Sequence, residues 1–582
     1  MHRETPWRRP GAAAYARRRI RSALRPPITV VGAPADLRKD HDVPVVMSDG
    51  VTLRVNLYRP AGPGPFPVIV SAHPYGKDAL PRKKRGGRGW KLNYQFHIMN
   101  QPEPYQISSE TGWEAPDPVR WVAAGFAVIN ADLRGAGTSD GVGSLLSDHE
   151  AHDVAEIVEW AGMQPWSNGR VGMLGVSYLA ISQYGAAALH PPHLAAICPW
   201  EGFTDVYRDF MTPGGIAERG FSVIWQTASR RVARITTNFG AGRREHPLRD
   251  GWWDALTPDI ERIEVPLLVC ASFSDHELHS QGSWRLFERA ASTERTAYTH
   301  RGPKWSEFYS DDAFETQRGF FERHLRGADA AAAPAGVALP AARPPALPPA
   351  LPPVRLEVRE SRTAIVEVRS EQEWPLARTV WTDRYLSADG LVDAPPAEGE
   401  RPFTLRRGSA SFDLPIEHDV EFTGPMSLKL WLALEGVHDA HLFVGVEKWR
   451  GDEYVPFEGS YGYGRDRIAV GRLALSLRQL SPQSPAGASR PHEPEHDYLQ
   501  RHLLTPGEVV PVELALSASS TVFRAGDTLR LIIAGRNLEP FNPLFGHFPA
   551  RYVPSRRGRC RLVWGSERSA ALTLPVIPRV TR

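Results

Sequence analysis

Cysteine is scarce: Cys198, Cys270 and Cys560 are the only three in 582 residues. They cannot all pair, and Cys198 and Cys270 lie in apolar strand-like runs where cysteine serves as a small buried hydrophobe, so no disulfide framework is evident. Excess charge is equally short, since 69 Lys and Arg face 66 Asp and Glu for a net +3, which implies no general role on nucleic acid or polyanions. No uninterrupted apolar run approaches the roughly 18 residues of a membrane span. Met1 to Arg25 carries eight arginines and one acid, but no apolar segment of a signal peptide follows. This reads as a solvated, partly disordered basic arm, with weak contact to an anionic surface as the alternative, and a cytoplasmic protein is expected.

Two motifs lack what a cofactor site needs. Asp132-Leu133-Arg134-Gly135-Ala136-Gly137-Thr138-Ser139 is glycine-rich after a strand but has neither a phosphate-loop lysine nor a GxGxxG, and reads as a structural turn. His492 and His496 stand four apart, as ligands on one helix face would, yet Pro494 between them argues for a solvated polar loop. No cofactor and no metal is expected.

What is present is ample core, with 42% hydrophobic residues, and a clear rhythm. Strands over Pro44–Tyr58, Phe66–His73, Phe126–Asn130, the run ending at Ser177, Leu194–Cys198 and Val265–Ala271 alternate with helical patterns such as Glu150–Gly162, predicting a parallel α/β sheet. Between Trp200 and Arg262 that rhythm lapses into mixed helical, aromatic and basic sequence, as for a helical cap. An Ala/Pro-rich stretch reads as a semi-rigid spacer. Beyond it, short alternating runs predict an all-β sandwich or jelly roll. The expected division is a basic arm over 1–39, an α/β domain over 40–200 and 263–326, a cap over 201–262, a linker over 327–353 and a jelly-roll domain over 354–582.

The most informative segment is Gly175-Val176-Ser177-Tyr178-Leu179-Ala180, entered from Val171-Gly172-Met173-Leu174 and continued by a small-residue helix. It reads as a nucleophile elbow, although Leu179 and Ala180 stand where a closing glycine is usual. Downstream, Asp275 follows the strand ending at Ala271, at the carboxyl end where open α/β sheets bind ligands. His300 follows the next short strand, Arg295–Thr299. The order Ser177, Asp275, His300 is that of an α/β-hydrolase triad, in which histidine activates the serine and the carboxylate fixes its tautomer. Competing residues are His276, His279 and His324 for the base, and Glu277 or Asp312 for the acid.

The chain resembles the cocaine esterase-like (CocE/NonD) hydrolases, related to X-prolyl dipeptidyl peptidases and α-amino acid ester hydrolases. The carriers are Met47–Leu53, His73-Pro74-Tyr75-Gly76-Lys77, Ala131–Ser139, Trp160–Met173 and Gly175-Val176-Ser177-Tyr178, with Asp205–Asp209 and Pro352–Leu356 also matching. The resemblance implies Ser177 as nucleophile with Asp275 and His300, and an oxyanion hole made of the Tyr178 N–H and the Tyr75 hydroxyl. One departure stands out. The family histidine usually lies in a Gly-Pro-Trp-x-His loop, whereas here His300 precedes Gly302-Pro303-Lys304-Trp305. The acids that hold a substrate ammonium in α-amino acid ester hydrolases are matched by Glu277 but not by Leu278. The segment from Lys77 to Pro118 reads as a long solvated loop or, alternatively, a substrate-facing lid.

These readings converge on a serine hydrolase of small-molecule carboxylic esters, or amides, working through an acyl-enzyme. An acylase or X-prolyl dipeptidyl peptidase is the enzymatic alternative, and a catalytically inactive binding protein the alternative of another class. The expected partner is a small ester or amide substrate, with no nucleic acid and no membrane span, and homodimerisation is left open.

Overall fold

The computed structural model describes residues 12–98, 101, 103–326, 350–459, 461, 466–484, 490, 492–539 and 548–578; most of the Ala/Pro-rich linker lies outside them. Part of the basic arm is ordered. Its alanines and arginines form helix α1 (Ala12–Leu24), as strong helix formers should, and Ala16 is buried. Ile28–Val31 then pairs in parallel with Tyr105–Ser108. No helix among the described residues is long and apolar enough to cross a membrane.

The first domain is built on strands β1 (Arg38–Val46), β2 (Thr52–Arg59), β3 (Phe66–His73), β4 (Ala127–Asp132), β5 (Ser167–Val176), β6 (Leu194–Trp200), β7 (Leu267–Cys270), β8 (Arg295–Tyr298), β9 (Val354–Ser361) and β10 (Ala364–Glu371). They lie side by side as β1-β2-β4-β3-β5-β6-β7-β8-β9-β10. From β4 to β9 neighbouring strands are parallel, while β1, β2 and β10 add antiparallel edges. The sheet is therefore mixed. β3, β4 and β7 are buried almost throughout, because a parallel sheet covered on both faces needs continuous apolar runs.

Helix α2 (Asp148–Gly162) starts where Ser147 Oγ accepts the Glu150 N–H, with Asp148 and Glu150 in its first turn. It crosses α3 (Tyr178–Ala188) closely: a Cβ on Gly185 would stand 2.8 Å from Ala151 Cβ, which explains the run of small residues in α3. The region between β6 and β7 forms helices α4 (Phe221–Val232) and α5 (Phe239–Glu245) and a short turn at Gly251–Asp254. Helices α6 (Ser280–Arg289), α7 (Lys304–Phe308) and α8 (Asp311–Phe321) follow β7 and β8.

The second domain is all-β. One antiparallel sheet contains β11 (Val380–Ser387), β13 (Val420–Glu435), β16 (Val510–Phe523), β18 (Arg559–Trp564) and β19 (Ala571–Ile577). The other contains β12 (Ser409–Pro415), β14 (His441–Arg450), β15 (Ala469–Ala474) and β17 (Asp527–Ala534). The polar loop expected around His492 and His496 is not solvated: both histidines are buried, and His492 stacks on Trp381 with ring centroids 3.6 Å apart.

Strand β9 belongs to both domains. Val354 and Arg355 extend the first sheet beside Ala297 and Tyr298, and Arg359 pairs with Thr521 of β16. One continuous strand thus fixes the second domain against the carboxyl edge of the first.

Candidate active site

Ser177 sits between β5 and α3 at φ 59°, ψ −114°, a conformation that costs a non-glycine residue of order 1–3 kcal/mol and is held only where its surroundings demand it. Its N–H donates to the Trp200 carbonyl, and its own carbonyl receives the N–H groups of Ala180 and Ile181. Gly175 is required by the sharpness of this turn, since a Cβ there would lie 2.3 Å from Leu179 Cβ. The missing closing glycine is compensated on the strand side: leucine fits at 179 because residue 175 has no side chain.

The histidine facing Ser177 is His279. Its Nε2 lies 3.2 Å from Ser177 Oγ, and its Nδ1 lies 2.5 Å from Asp275 Oδ2. Asp275 and His279 are four residues apart in one turn, in which the Asp275 carbonyl accepts the N–H groups of His279 and Ser280. That spacing puts both side chains on one face. The imidazole also lies near-parallel to the Phe203 ring, centroids 6.1 Å apart.

His300 does not meet Ser177, which corrects the expectation that it would act as the base. Its Nδ1 accepts the Gly302 N–H at 3.1 Å, and its Nε2 lies 2.8 Å from Glu201 Oε1. Both ring nitrogens are thereby committed within the fold. Burial alone would favour neutral His300, but the Glu201 contact, with Glu307 and Glu357 nearby, raises its pKa above the ordinary value. The remaining alternatives are also engaged elsewhere. His276 faces Asp466 at 3.2 Å, His324 packs on Phe320, Asp312 receives Tyr298 and Arg355, and Glu277 pairs with Arg472 and Tyr552.

Sequence reasoning passed over Lys304. Its Nζ stands 2.6 Å from Asp275 Oδ2, 2.9 Å from His279 Nδ1 and 3.1 Å from Glu201 Oε2. Glu201 itself adopts φ 52° at the end of β6. Desolvation works against the Asp275 charge, but Lys304 and His279 overcome it and hold the carboxyl far below its usual range. For His279 burial and the Lys304 charge outweigh Asp275, so its pKa is lowered. Glu114, at φ 63°, is buried and pushed up to about 8 by desolvation. The only advance signal for this cluster was the Asp275–His279 spacing of four.

The Tyr75 hydroxyl accepts the Trp225 Nε1–H of α4 at 2.9 Å, leaving its own proton free to be donated. Burial raises its pKa well above 10, so it remains a phenol. Tyr178 is the first residue of α3, where a backbone N–H has no intrahelical acceptor. Its ring lies under Trp225 and edge-on to Tyr75, and its hydroxyl binds Glu150. The segment 77–118 is more than a solvated loop: it carries buried Trp113 and Glu114, and Trp113 packs on Trp305 with centroids 4.8 Å apart. The glycine-rich segment after β4 is a turn in which Asp132 accepts the N–H groups of Lys77 and Thr138.

A mixed sheet with a strained serine at a parallel-strand end, followed by an all-β domain, is the architecture of a two-domain hydrolase. The comparisons with known proteins agree. Residues 49–303 match the X-Pro dipeptidyl-peptidase (S15) family and residues 349–544 the X-Pro dipeptidyl-peptidase C-terminal non-catalytic domain. The crystal structure of a CocE/NonD family hydrolase from Staphylococcus aureus is 31% identical, covers 93% of this chain and 94% of its own, and superposes with a TM-score of 0.82. The chain belongs to the CocE/NonD family of hydrolases. It is 28% identical over 419 residues to the cocaine esterase of Rhodococcus sp. (strain MB1 Bresler), over 62% of this chain and 64% of that protein, less than two thirds of the relative's length. An aminopeptidase from a marine sediment Thaumarchaeota archaeon shares the fold at 16% identity and a TM-score of 0.67, covering 93% of this chain and 96% of its own.

Proposed function

We propose that the protein is a serine hydrolase that cleaves carboxylic esters of small molecules through an acyl-enzyme. The observation that carries this reading is the unbroken relay from Ser177 Oγ to His279 Nε2 and from His279 Nδ1 to Asp275 Oδ2. Ser177 attacks the acyl carbon as His279 takes its proton; Asp275 keeps the His279 hydrogen on Nδ1 so that Nε2 can accept. The Tyr75 hydroxyl and Tyr178 N–H donate to the oxygen on which charge develops, and protonated His279 then releases the alcohol. Water repeats the sequence on the acyl-enzyme, with His279 again as base. In this reading the helices between β6 and β7 cap the serine through Trp225, and the second domain is a jelly roll that braces the site.

The complete relay speaks against an inactive binding protein. The peptidase and α-amino ester alternatives need an anionic group free to hold an ammonium, and Glu277 is already paired with Arg472 at 2.9 Å. The test is labelling by a fluorophosphonate together with turnover of a panel of esters and amides of graded acyl size. Wild type labels and turns over esters; Ser177→Ala does neither. Labelling that survives this substitution removes Ser177 as nucleophile.

A further inference from the structure

We propose that Lys304 is a positioning residue of the relay, its buried ammonium locking Asp275 against His279 and balancing the second carboxylate, Glu201, that the fold places beside them. The proposal rests on the assignment of Ser177, His279 and Asp275 above and extends it to a residue that none of the comparisons singles out.

The geometry is that of four buried ionisable side chains in mutual contact. The side chains of Lys304, Asp275 and His279 are each 1% exposed and that of Glu201 is 0% exposed. Lys304 is held there from several sides. It is the first residue of α7, whose next two N–H groups donate to Gln101 Oε1, each at 3.0 Å. Its ammonium lies 5.7 Å from the centre of the Tyr461 ring, a residue of the second domain. Its hydrogen bond to Asp275 Oδ2 and its ion-pair contact with Glu201 Oε2 place one positive charge between two carboxylates that would otherwise face each other in a medium with little screening.

The consequence falls on His279. With its Nδ1 hydrogen directed to Asp275, the imidazole meets Lys304 as a neighbouring positive charge 2.9 Å away. The groups facing the cluster are Asp275 on the turn of His279, Glu201 from the end of β6, Lys304 from α7, neutral Ser177 from the end of β5, Phe203 after β6 and Tyr461 from the second domain. Glu114, next to Lys304, is largely protonated at neutral pH because burial pushes it up to about 8. His300 contacts the other oxygen of Glu201. Removing the ammonium takes away a positive neighbour of His279, which favours the imidazolium and removes the base; removing the Glu201 charge does the reverse.

The experiment is the pH profile of kcat/KM for an aryl ester in Lys304→Met, Glu201→Gln and the double variant, with folding checked by circular dichroism. Lys304→Met is expected to move the acid limb upward by about one pH unit, and Glu201→Gln to move it downward by a similar amount. The double variant returns the limb toward wild type, and because it removes one charge of each sign it also serves where Lys304→Met does not fold. A merely structural lysine would lower activity without moving the limb. An unmoved limb in Glu201→Gln, or a limb in the double variant no nearer wild type than in Glu201→Gln, overturns the proposal. Retained activity in Ser177→Ala or His279→Ala would instead overturn the assignment beneath it, so the two failures are distinct.

Discussion

Two turns lie side by side at the carboxyl edge of the sheet, and each offers a histidine. The turn after β7 carries Asp275 and His279; the turn after β8 carries His300, Arg301 and Lys304. They are zipped together, since the Phe273 N–H donates to the His300 carbonyl. Yet they do different work. The first turn points its histidine at Ser177. The second faces the other domain: Arg301 is buried, donates to Ser519 Oγ and the Ile468 carbonyl, and stacks on Phe457. From the second turn Lys304 reaches the Asp275–His279 pair, while Arg301 touches His276 and the Gly302 carbonyl accepts the Ser274 hydroxyl. The difference teaches that strand order alone does not choose a base, because neighbouring parallel strands both end in a turn that carries a histidine and only one of these turns directs it at the serine.

The sharpest way to break this comparison is to exchange the loss between the two histidines. His279→Ala is expected to lower kcat for an aryl ester by about 10⁴-fold, leaving the residual rate of binding and the oxyanion hole. His300→Gln, which keeps a side chain able to hydrogen-bond Glu201, is expected to retain turnover within about tenfold. The reverse pattern in steady-state kinetics would return the base to His300.

A smaller effect tests whether the first turn works with the Tyr75 donor. Tyr75→Phe removes one hydroxyl and keeps the ring, and should lower kcat by roughly 10²–10³-fold with little change in KM, since the donor serves a charge present only near the transition state. Turnover within twofold of wild type would leave Tyr75 a packing aromatic.

The second turn is tested through stability. Arg301→Met should destabilise the protein by about 1–3 kcal/mol by leaving buried acceptors of the second domain unpaired, read as a lower midpoint in urea. An unchanged midpoint would remove Arg301 as a domain anchor. The smallest shift concerns pH. Burial and Lys304 lower the His279 pKa, and the base must be neutral to act. The acid limb of kcat/KM should therefore be centred below the ordinary histidine value of about 6.5, and a limb at or above that value would contradict the cluster's electrostatics.

Much of the fold was legible because period and composition report burial directly. The short continuous apolar run of β3, rich in β-branched residues and entered from a Pro/Gly turn, fits a covered strand, and the short alternating runs beyond residue 353 fit half-buried ones. The limits were local. Composition marks residues 1–39 as a partly disordered basic arm; within it α1 buries Ala16, a contact set by tertiary packing and not by charge count. Pro494 argues against a helix that carries His492 and His496 and points to a solvated loop; the fold instead buries both histidines.

The sequence by itself determined the elbow at Ser177, since Gly175 and the small-residue helix after it admit few other turns, and it favoured Asp275, which follows a recognisable apolar strand, over Glu277 and Asp312. Chain order favours His300 as the base, and only the tertiary structure brings His279 to the serine instead. Both histidines follow parallel strands, and which reaches the serine depends on the direction of a single turn: Asp275 and His279 share one face four residues apart, while the next turn is drawn away by Arg301 into the second domain. Lys304 was beyond sequence reading for the same reason. Its role exists only where the ends of three strands bring two carboxylates and an imidazole within 3.1 Å of one ammonium, and no local pattern records a meeting of residues 201, 275, 279 and 304.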